Sequence, residues 1–233
     1  MRMRKLIIAI DGPSGAGKGT VARTVAESLK YRHVDTGAMY RAVGWKAQHD
    51  GVALDDESAV ADLAKRADIL VEGGRIEIDG HDVTRAIRTP EIDKAASSVA
   101  RLPRVREVLV ARQRGLAEGG GVVMEGRDIG TVVFPNADLK IYLDASAEER
   151  ARRRMNDAAH SGGQGGAAAV AAAIQARDKS DTTRTASPLT VAADAVLIDT
   201  TGLPIGDVVS RVMNLISAKL NGQAECGRSI TDR

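Results

Sequence analysis

Leu6-Ile7-Ile8-Ala9-Ile10-Asp11-Gly12-Pro13-Ser14-Gly15-Ala16-Gly17-Lys18-Gly19-Thr20 is the stretch that decides the fold. Residues 6–10 are a short, Ile-rich apolar run that ends in a turn signal, which predicts a buried strand, central and parallel. Val21, Val25, Ala26 and Leu29 then recur at helical spacing, so a glycine loop joins a strand to a helix. Gly12 to Lys18 fits G-x-x-x-x-G-K, with Gly19 interposed before Thr20. Glycines let successive backbone N–H groups turn inward as an anion nest, and the helix start behind them adds partial positive charge. Lys18 is placed to reach terminal phosphates, and the Thr20 hydroxyl to approach Mg²⁺ or a phosphate. The stretch predicts a bound nucleoside triphosphate. By itself it does not distinguish a switch, a motor or a kinase.

Reading outward, residues 33–35 form a second short strand, 36–49 a helix and 55–66 another. Residues 67–90 change character: 69–71, 75–78 and 82–83 read as short strands around Gly73-Gly74 and Gly80, a small β-rich insertion. Residues 90–100 and 105–116 are helical, and 122–124 and 139–143 are apolar strands. Ser146 with Glu149 makes a capping box for a helix to about Met155. Residues 158–173 are low in complexity; the glycines at 161–166 predict a mobile loop and the alanines the start of the next helix. Residues 195–198 form a last strand and 204–220 a last helix, and 221–233 are expected to be a frayed tail. Strands alternating with helices imply an open parallel α/β sheet.

The chain has 233 residues with 43% hydrophobic and 27% charged side chains, so one packed domain is expected. Aromatics are 2%, and the formal net charge of +2 comes from 33 basic and 31 acidic residues. That balance, with no aromatic platform, argues against a nucleic-acid binder. Arginine supplies 24 of the 33 basic residues, which favours forked contacts to phosphate. The single cysteine, Cys226, excludes an intrachain disulfide, and scattered histidines argue against a zinc cage. No apolar run approaches a membrane span or a signal peptide, so a cytoplasmic protein is expected. None of the four asparagines precedes a lysine, so a guanine-reading N-K-x-D segment is absent. The candidate strands end in Glu125-Gly126-Arg127-Asp128 or Asp144-Ala145 rather than Asp-Glu, which weakens a motor reading.

A phosphotransferase brings two polyanions together and needs Mg²⁺ and convergent cations to do so. The candidates are Arg41, Arg106, Arg127, Arg150, Arg152, Arg153, Arg154, Arg177 and Arg184. Arg150 and Arg152 read as the solvated face of their helix, and Arg112 and Arg114 as surface. Asp11 is either a turn cap or an orienter of the loop or of a Mg²⁺-bound water. Tyr40 is either packing or a wall of the acceptor cleft.

G-P-S-G-A-G-K-G-T at 12–20 resembles nucleoside monophosphate kinases. D-T-G-A-M-Y-R at 35–41, I-R-T-P-E at 87–91, P-R-V-R at 103–106, G-R-D-I-G-T-V-V-F-P at 126–135 and R-D-x-x-D-x-x-R at 177–184 make the chain similar to bacterial cytidylate kinases from about residue 5 to 220. The resemblance implies a P-loop, three-layer α/β fold over 1–220. It also implies a monophosphate-binding region about 36–100 that includes the 67–90 insertion, and a mobile lid about 153–177.

It further implies transfer of the γ-phosphoryl group of ATP to CMP or dCMP, with Mg²⁺ carried by ATP rather than held in a fixed protein cage. Gly12–Thr20 and Lys18 would hold the ATP phosphates. Thr36 and Arg41, helped by Arg127, would hold the CMP phosphate. Ser97, Arg106 and Asp128 would read cytosine, with Tyr40 lining the cleft. Arg177, Asp181 and Arg184 would meet sugar and phosphates from the lid side, and Arg153 or Arg154 would close on the transferring group. Asp128 has a second reading, as an ion-pair partner of Arg127. Thr182-Thr183 stands where the family more often has charge. The resemblance implies a monomer.

Overall fold

The computed structural model of the chain describes residues 5–157 and 166–228. In chain order its first elements are β1 (Ile7–Asp11), α1 (Lys18–Leu29), β2 (Arg32–Asp35), α2 (Thr36–His49) and α3 (Glu57–Arg66). The insertion follows as β3 (Ile69–Glu72), β4 (Arg75–Ile78) and β5 (His81–Asp82). Next come α4 (Pro90–Val99), α5 (Pro103–Leu116), β6 (Val122–Gly126), a π-helical turn (Ile129–Val133) and β7 (Leu139–Asp144). The chain closes with α6 (Ala147–Met155), α7 (Gly166–Thr183), β8 (Val196–Asp199) and α8 (Ile205–Arg228).

The larger sheet runs β2-β6-β1-β7-β8 and is parallel throughout. β1 is central, as its apolar run requires. Its two faces are both covered: Ile8 and Ile10 pack with Val21 and Val25 of α1 and Val208 and Val212 of α8. Ala9 packs on the other side with Val34, Val110, Met124 and Ile129. A strand buried on both faces reads as continuous hydrophobicity, which is why the run at 6–10 carried the topology. Every loop leaving the carboxyl end of this sheet reaches one rim, the position where open α/β sheets bind ligands.

The expected small β-rich insertion is a three-stranded antiparallel sheet, β3-β4-β5. Its reversal uses Gly73 and Gly74, both at positive φ. Ile76 and Ile78 anchor it on Ala38 and Ala42 of α2.

Residues 129–133, to which the sequence reading assigns no element, form a π-helical turn. α8 runs on to Arg228, past the expected end at 220, so the frayed tail expected from 221 does not begin there; 229–233 lie outside the described residues. Of the expected lid, α6 and α7 are described, while the glycine stretch falls in 158–165, also outside the described residues.

Candidate functional site

A cleft of about 1210 Å³ opens on the carboxyl rim of the large sheet, lined on one side by residues 14–20 and on the other by Thr36, Tyr40, Arg41, Ser97, Arg106 and Asp128. Gly12 and Pro13 do not line it. Gly12 instead passes beneath β7: at its φ of +148° a Cβ would lie 2.0 Å from the Leu143 carbonyl oxygen, so only glycine fits. Pro13 offers its carbonyl to the Lys18 ammonium at 2.7 Å. Burial, reinforced by the neighbouring Arg127 charge, holds the Lys18 pKa well below its usual range. Such a lysine gains from an arriving anion.

The start of α1 is built for that anion. Asp35, Asp56, Thr89 and Ser146 cap α2, α3, α4 and α6 with their side chains. At α1 the N-cap is Gly17, in the left-handed region, with no side chain to satisfy the first amides. Uncapped amides and an aligned dipole are the physical basis of phosphate binding at a helix N-terminus. Glu125 lies close by: a Cβ on Gly19 would sit 3.4 Å from its Oε1. Its carboxylate meets His33 Nε2 at 2.9 Å, and its carbonyl accepts the Thr36 hydroxyl at 2.7 Å. The Thr20 hydroxyl and the Glu125 carboxylate are therefore oxygen donors beside the loop.

On the acceptor side, Asp35 accepts the Ala38 amide at 3.0 Å and Arg41 Nη2 at 2.9 Å. One residue thus starts α2 and fixes the arginine six positions on. Burial would raise the Asp35 carboxyl, but Arg41, Arg88 and the Ala38 amide outweigh it and hold it at about 2. Arg106 is buried, donates to Asp128, and lies 5.5 Å over the Tyr40 ring. It also donates to Ser187 Oγ at 3.1 Å and the Ala100 carbonyl at 3.3 Å. Arg184 approaches the other Asp128 oxygen at 3.7 Å.

Asp128 is thus flanked by Arg106 and Arg184, not by Arg127, which corrects the second reading of that carboxylate. Arg127 pairs instead with Asp181 at 2.9 Å. Ser97 is half-buried on the cleft wall.

The α6 arginines divide by direction. Arg153 donates to Glu149 at 2.8 Å and to the hydroxyl and carbonyl of Thr200 at 2.9 and 2.6 Å, and its guanidinium borders Gly17. Arg154 turns toward α4, where Asp93 accepts from it and from Arg177 at 3.0 Å. Arg150 is not on a solvated face. It is buried and donates to the Ala145 carbonyl, the Ser14 carbonyl and Asp178. Arg152 is solvated and paired with Glu149, as expected. Asp11 neither caps its own turn nor points at the loop, because Ile129 and Gly130 donate to it.

Sequence reading missed Asp35, Asp93 and Asp178 as arginine partners and Glu125 as the partner of His33; a carboxylate that serves a cation on another element leaves no local signal. It also missed Leu203, Ile205 and Val208, which give the loop end of the cleft an apolar wall. An apolar residue at the start of α8 looks like ordinary core in sequence.

A family model described as cytidylate kinase matches residues 8–218. The "Cytidylate kinase" of Desulfitobacterium hafniense (strain Y51) is 50% identical over 220 residues, covering 93% of this chain and 95% of that protein. The "Cytidylate kinase" of Bacillus subtilis (strain 168) is 48% identical, covering 93% and 98%. Among solved structures, a gluconokinase from Sinorhizobium meliloti 1021 shares the fold, with a TM-score of 0.51 at 15% identity over 99% of both chains.

Proposed function

The chain belongs to the cytidylate kinase family, and from that premise we propose how its residues carry out ATP-dependent phosphorylation of CMP or dCMP. The observation that carries the proposal is Asp128, buried between Arg106 and Arg184 at one end of the cleft whose other end is the phosphate loop. A nucleobase reader and a triphosphate cradle that share one cleft suit transfer between two nucleotides.

An oxygen of the CMP phosphate forms a bond to the γ-phosphorus of ATP as the bond to the β,γ-bridging oxygen breaks, and ADP leaves. No covalent enzyme intermediate is needed; the protein positions and neutralises. Residues 14–20 bind the ATP phosphates through backbone amides, and Lys18 exchanges the Pro13 carbonyl for phosphate. Leu203, Ile205 and Val208 take the apolar base of ATP. Thr36 and Arg41 hold the CMP phosphate with Arg127. Arg154 and Arg177, side by side on Asp93, face the transferring group, while Arg153 stays with ATP. Asp181 and Arg184 meet CMP from the α7 side.

Cytosine presents a 4-amino donor and an N3 acceptor, and uracil the reverse. Asp128 accepts from the amino group, Arg106 donates to the acceptor edge, and Ser97 completes the wall. Uracil would set a carbonyl against a buried carboxylate. A mismatch of that kind costs on the order of 10²-fold or more in selectivity.

The Thr20 hydroxyl and the Glu125 carboxylate are the oxygens of this chain that would face a Mg²⁺ carried by ATP, and the ion would supply charge neutralisation on the phosphates. Residues 1–220 act as one kinase domain. Its monophosphate-binding region lies at about 36–100, and the lid side is carried by α6 and α7. The working unit is a cytoplasmic monomer, since one chain supplies residues to both nucleotide sites. No described helix is long and apolar enough to cross a membrane.

ADP formation measured with Mg²⁺-ATP and CMP, dCMP, UMP, AMP, GMP or no acceptor tests this reading. Fast turnover with CMP and dCMP, slow turnover with UMP and almost none without acceptor is expected. Equal ADP in every reaction would mean an ATPase.

A further inference from the structure

Asp11 is the last residue of β1 and the neighbour of Gly12, yet its carboxylate is spent elsewhere. Oδ1 accepts the Ile129 amide at 2.8 Å, and Oδ2 accepts the Gly130 amide at 2.7 Å. These are the two peptide groups that follow Asp128. The Asp128 carbonyl, in turn, accepts from Val132 at 2.9 Å and Val133 at 3.1 Å, closing the π-helical turn. The backbone that carries the Asp128 side chain is therefore pinned on its far side by Asp11. The distal half of the turn has its own ties: Arg114 donates to the carbonyls of Val132 and Val133, and Lys140 to that of Pro135. In the half next to Asp128 the Phe134 amide holds the Ile129 carbonyl at 2.7 Å, and the Ile129 and Gly130 amides are held by Asp11.

We propose that Asp11 is a positioning residue for base recognition: by gripping the Ile129 and Gly130 amides it fixes Asp128 against Arg106 and Arg184. The inference rests on the reading of Asp128 as the cytosine acceptor. A buried carboxylate is costly, and burial pushes Asp11 up to about 6 although two amides favour its charged form. A turn that served only the fold could be tied by a neutral acceptor. Two charge-assisted bonds hold adjacent amides more tightly and in one geometry. The same residue abuts the phosphate loop through Gly12, so the base reader is registered directly against the ATP end of the cleft.

Asp11→Asn presents one acceptor oxygen and sets an NH₂ group against the other amide. Asp11→Glu keeps the charge but displaces it by a methylene, and serves if the first variant does not fold. The readout is the ratio of kcat/KM for CMP to that for UMP, with Asp128→Asn measured alongside. A merely structural defect lowers the amount of active enzyme and leaves this ratio unchanged. The expected result is a ratio lowered by about 10-fold or more in the Asp11 variants, with the KM for ATP within about 2-fold of wild type. If Asp128→Asn collapses the ratio and the Asp11 variants keep it, Asp11 only stabilises the fold and the inference is overturned. If Asp128→Asn itself leaves the ratio intact, the base-site reading fails and the inference falls with it.

Discussion

Arg150 donates to the carbonyl of Ser14 at 3.2 Å, joining the α6 helix to the phosphate loop across 136 positions of chain. The same guanidinium meets Asp178 of α7 at 2.5 Å and the Ala145 carbonyl at 2.9 Å. Its Cβ and backbone also fill the space beneath Gly15, where an added Cβ would come within 2.9 Å. Arg150 is thus a scaffold for the loop's shape, and it ties that shape to the two helices that bring Arg153, Arg154 and Arg177.

Replacing Arg150 with alanine leaves Asp178 without its cation and the loop without its support. Arg150 is buried but Asp178 is only half-buried, so loss of the pair costs about 1–3 kcal/mol. The expected outcome is a lower unfolding midpoint in urea together with a raised KM for ATP. A KM for ATP equal to wild type in the folded variant would show that the loop holds its shape unaided.

Gly12→Ala is expected to be among the most destabilising changes in the chain. Its Cβ would meet the Leu143 carbonyl at 2.0 Å, in a backbone region that L-residues avoid. Strand β7 has to move or the loop has to break, at about 4 kcal/mol or more. Gly74→Ala is the control: it also has positive φ, but nothing lies within 4 Å of its Cβ, so about 1–2 kcal/mol is expected. Denaturant melts of the two variants check this; equal losses would contradict the close approach under Leu143.

The pH dependence of stability separates the half-buried Asp35 from the buried Asp11. Asp35 has a folded pKa of about 2 against an ordinary 3.8. The folded state therefore holds fewer protons in that interval, and the stability Asp35 contributes is complete above about pH 4 and is lost as pH falls toward 2. The shift corresponds to about 2 kcal/mol. Asp11 works in the opposite sense. Its folded value of about 6 exceeds the ordinary 3.8, so the folded state holds more protons between these values and gains stability as pH falls from 6 toward 4. Asp35→Asn is expected to flatten the loss below pH 4, and Asp11→Asn the change between 4 and 6. Unchanged profiles would contradict both assignments.

Much of the fold was legible because its signals are local. The strand-loop-helix at 7–29 and the helix at 36–49 follow from periodicity and caps within a few residues. The β-rich insertion is announced by Gly73-Gly74. The π-helical turn at 129–133 was not legible: Thr131-Val132-Val133-Phe134 has β-type composition, and the turn is held from Asp11, 118 positions away. Arg150 was misread for a related reason. A run of arginines on a helix looks solvated until the partner surface, here the Ser14 carbonyl and Asp178, is known. Arg153 and Arg154 were equivalent in sequence, and only Thr200 and Asp93 give them different directions. The candidate site was readable where a motif carries the residue, and unreadable where a carboxylate serves an arginine from another element.

The central claim is that Asp128 reads the acceptor base in a cleft shared with ATP, and one comparison tests it most directly. It is kcat/KM for CMP and for UMP in the wild type and in Asp128→Asn, with thermal unfolding recorded for both proteins. The account predicts that the preference for CMP falls by on the order of 10²-fold, because the asparagine amide no longer demands a donor from the base. Thermal stability should fall far less than turnover. Parallel losses with both substrates, tracking the loss of stability, would contradict it and leave Asp128 as no more than the ion-pair partner of Arg106 and Arg184.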